Sequence, residues 1–588
     1  MPNQKSRGGE RGQALLASAV LMVAVLGMLG MVLDIGWAYF VNKKAQTAAD
    51  AAALGAVADA LILNGPAATP DCGTLACQSA LSCPATGDLQ TACEYAQVNG
   101  FVPNGEGSTQ SVQVAAGIDT NAPGVPNVPL EYWVQVTARN RLPQWFSGFV
   151  SNSGLTATAR ATAGLRRTTL NASIYLLNRA SDCFVSALNI GAVCGEDFLA
   201  LGVNSLNARG GIYMSSSNNT GLGLPDVAAG SITGTVQVQA PFTYLMGSGA
   251  IQNLLGSTQW TATPVNGFPD GDYFTDPFAG LAQPPAPTGL PNHPVSGGVI
   301  AGPVVLPPGN YYSTLPLLGT PTGLPIVVSG NVTFSDGQPT PCGGFCNYVF
   351  YGGLVTGALS TVTFSPGRYV FAGAPTVGGL PRAGFSIGAN AVVQDRTPLV
   401  NGKVTANTDA GEIFIFTDKN YSGLTTPSAF TGSGLSFPEV QAGLIAGVNA
   451  SITLHGLNKD SANLPSELKP YAPVLLWQDR ANTTLQYQAN GFLDRTCGGI
   501  CSHTLSVPGS QQMIVTAGQI SGNPATNLYG TIYGPRESWL TIVGVLPGDT
   551  VAGPLQIISG ALQMTVNATL DVDPVPNPPS RLLASLIQ

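Results

Sequence analysis

Charge is what this chain has least of. Asp, Glu, Lys and Arg together make up 9 % of its 588 residues, against about 25 % in ordinary soluble domains. Its 23 basic residues are outnumbered by 31 acidic ones, for a net charge of −8. Beyond residue 45 the basic side chains are mostly scattered singly, with Arg166 and Arg167 the only adjacent pair. Neutralising phosphates requires clustered Lys and Arg, so a nucleic-acid partner is excluded. Histidine is scarcer still: His293, His455 and His503 show no ligand spacing among themselves. No Gly-x-Ser-x-Gly elbow, His-Glu-x-x-His pair or P-loop is present. The densest acidic stretch, "PDGDYFTD", holds Asp270, Asp272 and Asp276. Three carboxylates in seven residues suit a calcium loop, but a solvated turn is the preferred reading. No catalytic, cofactor-binding or metal site is expected, and no cofactor.

Glycine and proline, by contrast, are abundant, at 73 and 45 residues, while 44 % of the chain is hydrophobic. That mixture suits many short strands and tight turns rather than disorder, which lacks apolar residues. All ten cysteines follow the one long apolar run, which fits an oxidising compartment on one side of a membrane. "CGGFC" and "CGGIC" place Cys342 four residues before Cys346 and Cys497 four before Cys501. The glycines let the backbone curl enough to join each pair locally. The rival reading gathers the four thiolates around one zinc ion.

The apolar run, Ala14 to Leu33, has 20 residues without a charge, enough to cross about 30 Å of hydrocarbon. It exceeds the apolar core of a cleavable signal, so an uncleaved single-pass anchor over residues 14–41 is expected. The cysteines orient it, with the N-terminus cytoplasmic and the bulk of the chain periplasmic or extracellular. Asp34 follows the run directly, ahead of Trp37, Tyr39, Lys43 and Lys44. Two readings stand for it: a boundary residue ionised at the outer interface, or a polar contact for a neighbouring helix. The expectation adopted is an interfacial position with a secondary partner role.

Around this run the residues resemble the N-terminal domain of TadG-like proteins of Flp (tight-adherence) pilus assembly. Arg11, Gly12, Gln13 and Ala14 match the start of the family pattern, Asp34 and Gly36 the close of the span, and Gln46 with Ala48 through Leu54, including Asp50, the following helix. The resemblance covers about 60 residues and implies a strand, a buried aromatic patch and a second strand within "LEYWVQVTARNRLPQWFSGFV" and "GLTATARATAGL". Some members carry a metal-binding von Willebrand factor A domain. Asn178 stands here where that domain's first Asp belongs, so no such metal is expected. Gly8, Gly9 and Gly12 lack a Glu five positions on, which argues against processing as a pilin.

Past residue 165 the sequence turns to short runs rich in Gly, Asn, Thr, Ser and Val. "LPPGNYY" (306–312) and "FSPGRYV" (364–370) share a Pro-Gly turn launching a strand. Asn331, Asn390, Asn449 and Asn567 precede short apolar runs at intervals of 59, 59 and 118 (390 − 331, 449 − 390, 567 − 449), consistent with stacked coils of a parallel β-helix. The fold expected is mainly β: a single N-terminal transmembrane helix, a small α/β unit, then a parallel β-helix (solenoid) ectodomain. The divisions are residues 1–13 cytoplasmic, 14–41 anchor, 42–165 TadG-like helix and α/β unit, 166–575 β-helix and 576–588 tail. The function expected is a non-enzymatic, membrane-anchored envelope protein serving Flp pilus assembly or surface adhesion, with pilus or secretion components as partners of the helix. The alternative is a carbohydrate-binding or carbohydrate-active β-helix with a surface glycan as ligand, using Asp270, Asp272 and Asp276 with Arg368 as a distant basic partner.

Overall fold

A computed structural model describes residues 10–587 apart from interruptions, the longest being 119–129, 144–154, 215–229, 267–275, 397–408 and 425–443. The chain divides into two compact units. One comprises residues 1–168, 277–281 and 580–588, the other residues 169–276 and 282–579.

The first unit begins with one unbroken helix, α1 (Glu10–Asn64), of 55 residues, about 80 Å long at 1.5 Å per residue. Nothing between Glu10 and Asn64 breaks it: the stretch has no proline and is dominated by Ala, Leu, Val and Met, mostly strong helix formers. Gly65 ends it, with φ 81° and its N–H donating to the Leu61 carbonyl at 2.9 Å. Along Leu15–Leu33 the apolar side chains are exposed in nearly every direction, and by length and composition this stretch can cross a membrane. From Ala45 onward an alanine stripe is fully buried: Ala45, Ala48, Ala49, Ala52, Ala53, Ala56 and Ala60. The stripe recurs at three- and four-residue steps, so it forms one face.

That face lies on an antiparallel sheet whose inner side carries Val112, Val114, Val134, Val136, Ala161 and Ala163. The sheet runs Gln78–Ser82, Gln110–Gly117, Tyr132–Leu142, Leu155–Thr169 and, at its far edge, Ser580–Leu586. The last strand departs from expectation. Residues 576–588 read as a tail, yet Leu582 is buried in the core of this unit and Ile587 donates to the Thr162 carbonyl at 2.9 Å. Alternation in "SRLLASLIQ" is short and its partner strand lies over 400 residues upstream, so no local signal marks it. A second helix, α2 (Gln90–Val98), packs beside α1, with Thr91 donating to Asp59 at 3.0 Å. Disulfide Cys72–Cys77 closes the loop before Gln78–Ser82, and Cys83–Cys93 ties the residue after that strand to α2.

The second unit is a stack of parallel coils, consistent with a β-helix. Val299 pairs with Val327, Val327 with Val355 and Val355 with Ser386, giving steps of 28, 28 and 31 residues (327 − 299, 355 − 327, 386 − 355). In the coils that begin at Val299, three strands make up one turn, Val299–Ala301, Val304–Leu306 and Gly309–Thr314. Phe198–Ala208 with Ile212–Met214 and Gly230–Gln239 with Thr243–Leu245 instead pair through two strands per coil. Against these steps the 59-residue interval has room for two coils, but it does not hold a constant number of them. Asn331 pairs with Thr361 and Thr361 with Val392, so the first interval spans two coils. Val392 then pairs with Ser451 directly, so the second spans one. Asn390 does occupy a left-handed turn, φ 55°, whereas Asn331 opens a strand. Asn449 and Asn567 lie outside the described residues.

Identical positions on successive coils stack their side chains. Phe334 lies 5.0 Å from Phe364, Tyr348 5.0 Å from Tyr369, and Phe371 5.4 and 5.3 Å from Phe350 and Phe416, measured between ring centroids. The two Pro-Gly repeats launch strands of this sheet. In each, the tyrosine hydroxyl donates four residues back, Tyr311 to the Pro307 carbonyl at 2.6 Å and Tyr369 to the Ser365 carbonyl at 2.5 Å. A buried hydroxyl thus satisfies the carbonyl that the turn frees.

The order of coils is not the order of the sequence. Ile174–Leu176 pairs with Ile212–Met214 on one side and with Thr550–Ser559 on the other. Phe198–Ala208 likewise lies between Gly230–Gln239 and the late strands Ala561–Thr565 and Thr569–Asp573. The chain therefore joins the stack in its interior. A proline-rich strap, residues 282–286, crosses several coils. The Ala282 carbonyl accepts from Tyr471 at 2.8 Å, and Gln283 accepts from Trp477 at 3.3 Å and donates to Asp479. The Pro284 carbonyl accepts from Tyr421, and the Pro285 carbonyl from Arg368. Successive strap residues engage successive coils, since Val474–Gln478 pairs with Glu412–Thr417 and that strand with Gly367–Ala372.

Candidate functional site

The face of α1 that carries the alanine stripe continues towards the N-terminus through Val41, Ala38, Asp34 and Gly30, at steps of three and four residues. Asp34 is 7 % exposed, while its neighbours Leu33 and Ile35 are 62 % and 61 % exposed. Protein encloses this side chain, as it would not enclose a boundary residue standing in water. The cause lies in its face, where glycine and alanine on either side permit close approach. Below it, Ala38 and Val41 pack on Leu142 and Ala157. Gln46 donates to Asp50 at 2.7 Å and to the Arg160 carbonyl at 3.3 Å, so the Gln-x-Ala-Ala-Asp pattern links helix to sheet. Gly36 faces open space. Arg11, Gly12 and Gln13 belong to the helix, but their side chains lie outside the described residues, as does the aromatic segment 144–154.

Of the other residues singled out in the sequence, Asp270, Asp272, Asn178 and Cys497 lie outside the described residues, as do the side chains of Cys501 and His503. Asp276 accepts from the Tyr533 hydroxyl at 2.7 Å, and Arg480 approaches it at 3.8 Å while lying over the Trp477 ring. Arg368 is buried against the strap and donates to Asn347 at 2.9 Å; burial pulls its guanidinium below the usual arginine range. Each is thus engaged within the protein rather than in an open cleft. Cys342 and Cys346 form a disulfide, so these two thiolates do not hold zinc. His293 stacks on Tyr311, 4.9 Å between ring centroids.

A group that sequence reasoning missed lies inside the coils. Asp395 ends the strand Val392–Asp395, Glu412 begins Glu412–Thr417, and His455 ends Ser451–His455. His455 Nδ1 is 2.5 Å from Asp395 Oδ2 and 3.5 Å from Glu412 Oε2, and its Nε2 is 3.3 Å from Asp409 Oδ1. All four side chains are buried, Glu412 completely. Burial, reinforced by the Asp395 charge, pushes the Glu412 carboxyl well above the ordinary range. Burial also raises Asp395, against the opposing pull of His455. Burial disfavours the imidazolium, but the Glu412 and Asp395 carboxylates more than offset this and raise His455. Scanning the histidines for spacing among themselves concealed the group, whose members come from three strands. Coil alignment reveals it: Phe334 pairs with Phe364 and Phe364 with Asp395, so an acid occupies a core position that is phenylalanine in two preceding coils.

Residues 12–59 match the family model described as putative Flp pilus-assembly TadE/G-like. The N-terminal segment is Tad-like. The Tad-like segment coincides with α1 from its apolar stretch to nearly the end of its alanine stripe, so the match covers a stretch apolar and long enough to cross a membrane together with its packed base. No curated protein and no solved structure matches this chain.

Proposed function

We propose that this is a single-pass envelope protein whose Tad-like helix links it to Flp pilus assembly, with a cytoplasmic N-terminus and a non-enzymatic coiled ectodomain outside. The observation that carries this reading is the coincidence of the family match at residues 12–59 with a helix exposed along Leu15–Leu33 and packed below. The orientation rests on the cysteines, which all follow the span, three pairs of them joined. A surface-adhesion role for the coils accords with their low charge. The carbohydrate-active reading has less support, because Asp276 and Arg368 are each engaged in internal contacts.

Asp34 is the residue to test. It lies on a face with Gly30 and Ala38, small residues beside which a second helix can approach closely. Cross-linking through the helix in native membranes, followed by mass spectrometry, should recover pilus or secretion components. Asp34→Asn should leave the chain inserted and weaken that association by about 1–2 kcal/mol. Equal cross-linking yields for wild type and variant would remove the partner role, and recovery of no such component would remove the assembly role.

A further inference from the structure

We propose that Asp395, Glu412 and His455 form a binding site for one divalent first-row transition ion, of the zinc or manganese class, inside the coil stack. The inference is independent of the envelope role. Three carboxylates and one imidazole share this pocket, and the fully buried Glu412 meets no N–H or hydroxyl donor, only the carboxyl of Asp395 with which it must share a proton. His455 Nδ1, 3.5 Å from Glu412 Oε2, is already committed to Asp395. Buried carboxylates without partners are costly unless protonated or paired with a cation.

The geometry favours the cation. One ligand atom from each of Asp395, Glu412 and His455 can be chosen so that all lie within 4.8 Å of one another. Nitrogen and oxygen ligands about 2.0–2.2 Å from zinc sit roughly 3–4 Å apart. The Glu412–His455 separation already falls in that range, and the Asp395–His455 contact needs to open by about 0.5–1 Å as the ion replaces their shared proton. His455 is also oriented from behind. Its Nε2 faces Asp409 Oδ1 at 3.3 Å, and that oxygen is itself fixed by the Gly411 N–H at 3.0 Å. A carboxylate behind a ligating imidazole is the arrangement that holds metal-binding histidines in place. The mixed imidazole and carboxylate set selects a transition ion over calcium or magnesium, which take oxygen ligands. Backbone placement reinforces the site: Gly411 has φ 71°, and a Cβ there would come within 2.1 Å of the Gly456 carbonyl, so the turn carrying Glu412 is closely held against the turn after His455.

The test uses the full chain in detergent, stripped with chelator, loaded with zinc and desalted, with metal counted by mass spectrometry. Wild type should retain one more zinc ion per chain than Glu412→Gln, a substitution that mimics the protonated acid and preserves its shape. Asp409→Asn should weaken zinc about 10–100-fold without abolishing it. Zinc should raise the melting temperature of wild type, and cobalt in its place should give visible bands without the near-ultraviolet absorption of thiolate ligation. Should Glu412→Gln fail to fold, the wild-type melting shift and cobalt spectrum decide alone. Equal zinc in wild type and a folded Glu412→Gln, an unmoved melting temperature or a thiolate spectrum would each overturn the proposal and leave a proton-sharing cluster only.

Discussion

Tyr311 and Tyr369 show how a short sequence motif acquires meaning once its atoms are placed. Both follow a Pro-Gly turn, and both send the hydroxyl to a carbonyl four residues back. Tyr369→Phe keeps the stacked ring but leaves the Ser365 carbonyl without that donor, so about 1–3 kcal/mol should be lost. Denaturant unfolding of the full chain in detergent checks this, and an unchanged midpoint would show that the ring alone matters. The repeated turn and its strand were legible from "LPPGNYY" and "FSPGRYV", because glycine and proline act locally. The buried Asp395–Glu412–His455 group was not, because ligand geometry joins residues 17 and 43 positions apart (412 − 395, 455 − 412) that only the coil register brings together. Likewise the position of Asp34 at the end of an apolar run was plain, but its enclosure depends on packing that no run of hydropathy encodes.

Among elements, the strap 282–286 is the least expected. Its sequence, "AQPPA", lies within the stretch expected as β-helix, yet proline lacks the N–H that a strand would use. Here the prolines serve differently: the Pro284 and Pro285 carbonyls accept from Tyr421 and Arg368, and the Ala282 carbonyl beside them accepts from Tyr471. Arg368→Met preserves much of the buried volume while removing the donors to Pro285 and Asn347. A cost of about 1.5–3 kcal/mol is expected, because a charged donor is lost and its acceptors stay buried. Limited proteolysis should then cut first within residues 282–291. Cleavage elsewhere at the wild-type rate would show that the strap is held without Arg368. The helix α1 illustrates the opposite case. Its helix formers and small residues were plain in the sequence, which left open whether the apolar run and the alanine stretch form one helix; with no breaker between them they do.

At the scale of the whole molecule, the C-terminal strand Ser580–Leu586 returns to the sheet of the first unit, and its core residue there is Leu582. Leu582→Ala should cost that unit about 2–5 kcal/mol. Hydrogen exchange monitored by mass spectrometry should quicken in Tyr132–Leu142 and Leu155–Thr169 while Gly367–Ala372 stays protected. Equal protection everywhere would mean the last strand adds nothing to that unit. The mainly β class and the coils were visible in composition and turn chemistry, whereas the true period was hidden by a long insertion between Asp395 and Glu412 and another before Leu444. The interior joining of the stack carries a consequence for synthesis. Ala568, whose N–H donates to Asn204, is made 364 residues after it, on the order of half a minute at ordinary elongation rates. Throughout that interval Phe198–Ala208 presents an open edge to any other chain nearby. A newborn molecule is therefore most vulnerable to mispairing at its middle coils, and its own last coils are the cover that ends the exposure.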